Sequence, residues 1–165
     1  MINAYETEDG VVFDMSQLEC DALRSYADGL VDDPDHPFVE LLRGQGLVVG
    51  DAPVPHLAAL LQAFSQATKV LTAWVVAPAG CRRSTFFVGP HSAAVLRCDD
   101  GALLPGEDDP LSVWVVDSAQ LRDTFFELSA IGEPSGEGIV PTAVPEVIFT
   151  ALERGDVPQI LLQVP

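Results

Sequence analysis

At 165 residues and 17.6 kDa the chain has the length of one ordinary domain, and 48% hydrophobic against 20% charged residues exclude a disordered polymer, which is poor in apolar side chains. Eight basic residues face 25 acidic ones, a net charge of −17, so the phosphates of a nucleic acid or an anionic membrane surface would be repelled. Cys20, Cys81 and Cys98 are odd in number and widely spaced, which implies no disulfide framework and fits a reducing compartment.

Residues 1–8 lack the basic and apolar regions of a secretory signal. The longest apolar run, residues 70–79, is broken by Thr72 and Pro78 and falls far short of the ~20 residues of a membrane span. A soluble, cytoplasmic protein with no membrane insertion is expected.

Residues 1–10 read as a disordered tail. Val11–Met15 alternates and predicts a short strand. Ser16-Gln17-Leu18-Glu19 is a capping box that opens a helix, with Asp14 and Gln17 as a competing box two residues earlier. Leu18, Ala22, Tyr26 and Leu30 follow at helical spacing. A second helix is predicted over about 37–43, stopped by Gly44 and Gly46, and a third from Pro55, whose missing N–H is not needed in a first turn.

From Lys69 the period changes to two. Val70–Ala77, Arg83–Gly89, Ala93–Cys98 and Leu111–Asp117 read as four strands, joined by turns too short for parallel crossovers. A helix capped by Asp117 with Gln120 comes next, then a Gly- and Pro-rich linker over 131–140, a helix from Pro145, and a last segment at 160–164 of open type. The fold class is α+β: a central antiparallel meander of about four strands flanked by N- and C-terminal helices. The domain spans 11–130, with a helical part at 16–68 and a sheet part at 69–130, followed by a C-terminal helix and tail at 141–165.

The strands carry apolar residues on both faces. Trp74 and Val76 oppose Leu71, Ala73 and Val75; Trp114 and Val116 oppose Val113 and Val115; Phe86 and Phe87 are adjacent and point opposite ways. Both faces must therefore be covered by helices, a second copy or a partner, because exposed apolar surface is costly. Candidate partner-binding residues are Trp74, Phe86, Phe87 and Trp114, with Arg82 and Arg83 as the only basic pair. For each aromatic the competing role is core packing.

No catalytic motif is found. His36 among Asp32, Asp33 and Asp35 lacks the glycine and distal glutamate of a calcium loop, and the spacings of Cys81, His91 and Cys98 match no zinc pattern. Neither a metal nor a cofactor is expected, and an enzyme is not supported.

The order of parts carries a resemblance. Ser16–Leu23 opens a helix, Leu41-Leu42-Arg43-Gly44-Gln45-Gly46-Leu47-Val48 ends a second, Pro55-His56-Leu57-Ala58-Ala59-Leu60-Leu61 begins a third, and a meander leads to Val115-Val116-Asp117-Ser118-Ala119-Gln120-Leu121. Over about residues 11–130 this resembles the N-terminal half of the EspG family, the cytosolic chaperones of actinobacterial type VII secretion. A single lysine, Lys69, and the wealth of Ala, Val, Gly and Pro read as a GC-rich coding bias of the same kind. The resemblance implies a non-catalytic protein that binds and shields a secreted helical substrate.

The family is built of two quasi-equivalent halves. This chain has room for one plus a tail, so it is expected to be either a piece of a longer protein or a single half that forms a homodimer through its sheet. Two alternatives stay open: a winged-helix-like protein-binding regulator, suggested by three helices before the meander, and a structural homodimeric domain. A substrate-processing domain using Cys81 or Cys98 is a further possibility that thiol labelling tests.

Overall fold

The computed structural model describes residues 1–8, 10–31, 33–77, 80–99, 106–128 and 160–163, the last four and residues 76–77 and 80–81 by their backbone alone. The elements in chain order are β1 (Asn3–Thr7), β2 (Gly10–Ser16), α1 (Gln17–Ala27), α2 (Pro37–Gly44), β3 (Val48–Val49), β4 (Ala52–Pro53), α3 (Pro55–Ser65), β5 (Lys69–Ala77), β6 (Gly80–Val88), β7 (Ser92–Cys98), β8 (Pro110–Asp117), α4 (Leu121–Leu128) and β9 (Ile160–Gln163). The fold is α+β.

α1 begins where the capping box puts it. The Ser16 side chain accepts from the Glu19 amide at 3.2 Å, and the Glu19 carboxylate accepts from the Ser16 amide at 2.9 Å. Ser16, not Asp14, is the cap. α2 starts at Pro37, and Nδ1 of His36 accepts from the Phe38 amide at 3.2 Å. It ends in a left-handed turn at Gly46 (φ 71°), where the Leu47 amide donates to the Leu42 carbonyl at 2.9 Å and the Gly46 amide to that of Arg43 at 3.0 Å. Leu42 and Leu47 are both buried, so the turn also closes an apolar contact.

The period-two segments form the expected meander β5–β6–β7–β8, every pair antiparallel. The sheet is wider than four strands. Its order is β1-β2-β8-β7-β6-β5-β9, with β9 parallel to β5. Six of its strands form an antiparallel array, and β2 joins it by pairing with β8, Phe13 opposite Val113 and Met15 opposite Leu111.

Two sequence-based expectations change, and one left open is decided. Residues 1–10 do not form a disordered tail: Ile2 is buried and β1 pairs with β2 from Asn3↔Asp14 to Thr7↔Gly10. β1 is a mostly exposed edge strand of polar residues, so it carries little apolar periodicity, and its order comes from the β2 ladder. α4 starts at Leu121, because Asp117 still belongs to the β7–β8 ladder opposite Ser92 and the next three residues, 118–120, form a turn that Ser118 ties to the His91 carbonyl. The last segment is extended, in β9. The expected linker at 131–140 and the helix from Pro145 lie outside the described residues.

Both sheet faces are covered in large part. On one, Phe13, Met15, Phe87, Ala94, Leu96, Leu111 and Val113 pack with Cys20 and Leu23 of α1, Leu42 of α2, and Leu57, Leu60 and Phe64 of α3. On the other, Leu71, Ala73, Phe86, Ala93, Val95 and Val116 pack with Phe125 and Leu128 of α4. Phe86 and Phe87 supply one large ring to each core.

Candidate functional site

Strand alternation sorts the candidate residues by face. Leu71 and Ala73 belong to the α4 side, so Trp74 projects to the side of α1–α3. Its partner across β5–β6 is Arg83, which in turn pairs with Cys98 of the α1–α3 core. Arg82 projects to the α4 side, as does Trp114, half-buried against the core there. The six residues therefore do not form one surface.

Phe86 is completely buried, its ring 5.4 Å from that of Phe125. Phe87 is nearly so, edge-on to Phe64 at 5.4 Å, with the Arg24 guanidinium 4.5 Å from its ring centre. Both hold the fold together and neither offers its ring to a partner.

Arg83 is the unusual member. It is only 6% exposed in a chain that has acid to spare. One guanidinium nitrogen, Nη2, donates to the Gln17 side-chain oxygen at 3.1 Å and lies 3.9 Å from an Asp109 carboxylate oxygen. The other, Nη1, is buried with no partner among the described residues, and so is the indole nitrogen Nε1 of Trp74 opposite. The loop before β8 is pinned to the start of α1 beside them: the Gln17 and Leu18 amides donate to the Asp109 and Glu107 carbonyls, each at 3.0 Å.

On the α4 side, beyond the apolar core, lies a polar group that sequence reading missed. Asp99 Oδ1 accepts from Arg82 Nε and from Arg97 Nε, each at 2.8 Å. Burial opposes the charge on Asp99, but the two arginines outweigh it and hold the carboxyl below its usual range. The Ser112 hydroxyl donates to Asp14 at 2.8 Å. Asp14, Arg97, Asp99 and Ser112 line one side of a cleft of about 730 Å³ that reaches Met1, Leu18 and Glu19. Burial likewise opposes the charge on Glu19, yet the ion pair with the Met1 ammonium and the hydrogen bonds from Ser16 lower its pKa. The signal in the sequence was the polar alternation Asp14/Ser16 and Arg97/Asp99, but only the strand register joins the two pairs.

The remaining candidates are structural. His36 caps α2, and Asp33 accepts from the Asp35 amide at 3.0 Å, so the acidic turn is organised around a helix start. Among the described residues no three His, Cys, Asp or Glu side chains gather to hold a metal. Cys20 and Cys98 are buried, and burial pushes the Cys20 thiol up to about 12, far from the thiolate a nucleophile needs. No helix among the described residues is long and apolar enough to cross a membrane.

Comparisons with protein families, with curated proteins and with solved structures find no match to the chain.

Proposed function

We propose that the chain is a cytosolic, non-catalytic, chaperone-like binding protein of actinobacterial type VII secretion that shields a helical secreted substrate. The observation that supports it is the chain order of its parts. α1, α2 with its Leu-Gly-Leu end, and the proline-led α3 precede the antiparallel meander β5–β8, and α4 follows. That is the order in which the EspG-like segments stand in the sequence. Among the described residues, polar side chains are gathered into ion pairs and caps and the thiols are buried, which suits binding better than chemistry.

The test is affinity capture of the full chain from its native host, followed by mass spectrometry and by reconstitution of the purified pair. A small helical secreted protein that forms a complex of defined stoichiometry is expected. Recovery of no such protein, or of one that does not rebind when pure, overturns the reading.

A second reading, a homodimer built through the sheet, is favoured by β1. Its outer edge carries no further strand among the described residues, and an open edge is a template for strand addition. Light scattering decides: twice 17.6 kDa supports it, and a monomer removes it.

A further inference from the structure

β1 lies at one edge of the sheet, and its register shows which backbone groups it leaves over. Thr7 and Gly10 close the hairpin around two residues, so they form a pair that exchanges both N–H···O bonds. Such pairs alternate along an antiparallel ladder, which makes Tyr5↔Val12 and Asn3↔Asp14 hydrogen-bonded pairs too. Ala4 and Glu6 fall between them, and their N–H and C=O groups point away from β2. Asn3, Tyr5, Glu6 and Thr7 are exposed, Tyr5 by 41%, so this edge is open to solvent.

An open edge with outward donors and acceptors accepts a further strand, and charge selects which one. Residues 1–23 hold six acidic residues and no lysine or arginine. Glu6 projects from the edge strand itself, Glu8 follows in the turn, and Asp14 stands opposite Asn3 on β2. A second copy, the occupant in the homodimeric reading, would bring another −17 to the same place. We infer that the outer edge of β1 docks an extended, basic segment of a partner protein, which adds to the sheet as an antiparallel strand. Antiparallel pairing continues the existing array and is the more stable per residue. Opposite Ala4 and Glu6 the added strand exchanges backbone hydrogen bonds, and a lysine or arginine there meets the Glu6 carboxylate. On the other face a β-branched side chain packs on Tyr5. This partner strand is independent of the helical substrate proposed above, so either can fail without the other.

The probe is the peptide acetyl-Thr-Lys-Val-Lys-Val-Lys-Thr-amide, titrated into the ¹⁵N-labelled full chain. The Ala4 and Glu6 amide signals are expected to move downfield and their exchange with solvent to slow, while those of Asn3, Tyr5 and Thr7, already bonded to β2, change little. N-methylation of the peptide's lysines removes the N–H groups that face β1 and is expected to weaken binding at least about tenfold. N-methylation of its valines, whose N–H groups face outward, leaves binding in place. Glu6→Lys, on the exposed edge, is expected to weaken binding about fivefold, and a peptide with Glu for every Lys is expected not to bind.

No binding of the basic peptide overturns the proposal. So does binding that leaves the Ala4 and Glu6 amides unmoved, which is adsorption of a cation elsewhere on an acidic chain. Equal binding of the acidic peptide, or equal weakening by the two N-methylation patterns, overturns it as well. If the Ala4 and Glu6 signals shift with protein concentration alone and light scattering gives twice 17.6 kDa, the edge belongs to a second copy and the basic partner falls.

Discussion

Two adjacent phenylalanines show how a single residue step separates roles. Phe86 fills the core under α4 and Phe87 the core under α1 and α3, because successive strand residues face opposite ways. Phe86→Ala is expected to cost about 3–5 kcal/mol by urea unfolding, and a cost under ~1 kcal/mol would contradict its complete burial. The same alternation splits Arg82 from Arg83, one half-exposed and paired with Asp99, the other buried. Asp99 gives a pH prediction. Its folded pKa lies below the unfolded value of 3.8, so its contribution is complete above that value and is lost as pH falls through the folded pKa. Because the carboxylate is half-exposed, solvent screening holds the contribution under ~1 kcal/mol. Asp99→Asn should therefore lower stability slightly at neutral pH and flatten the acid limb below about pH 4. An unchanged acid limb in denaturant melts at stepped pH would refute this.

At the scale of elements, local signals decided the helix ends. The Ser16–Glu19 box, Pro37 and Pro55 each mark a start found in the structure, since capping and first-turn chemistry involve residues within one turn of one another. Ser16→Ala removes the cap acceptor while the residue-16 amide keeps its bond to the Glu19 carboxylate, and it is expected to cost about 1 kcal/mol. Gly46→Ala is expected to cost a similar amount through backbone strain alone, because φ is 71° and nothing lies within 4 Å of an added Cβ. Both are read from thermal melts, and a neutral Gly46→Ala would mean that the turn relaxes. α4 shows the limit of such reasoning. Asp117 and Gln120 form a plausible box, yet residues 118–120 make a turn that Ser118 ties to the His91 carbonyl, and the helix begins at Leu121. A tertiary hydrogen bond outweighed a local preference.

For the molecule as a whole, charge and sheet width dominate. Excess negative charge repels itself across the surface, and salt screens it with a Debye length of about 10 Å at 0.1 M. The melting temperature is therefore expected to rise with added sodium chloride, and a fall would mean that the few surface ion pairs outweigh the net repulsion. The sequence by itself determined that the fold is α+β, that four strands form an antiparallel meander, and that apolar side chains on both faces needed cover; these follow from periodicity, short turns and the cost of wet hydrocarbon, all readable within a few residues. Only the tertiary structure decided that β1 and β2 extend the sheet through β8, that Asp14, Ser112, Arg97 and Asp99 meet in one cleft, and that Arg83 is buried beside Trp74. Each of these joins residues far apart in the chain, and pairing at that separation depends on which edges and faces remain free after the local elements have formed, a property no local pattern encodes.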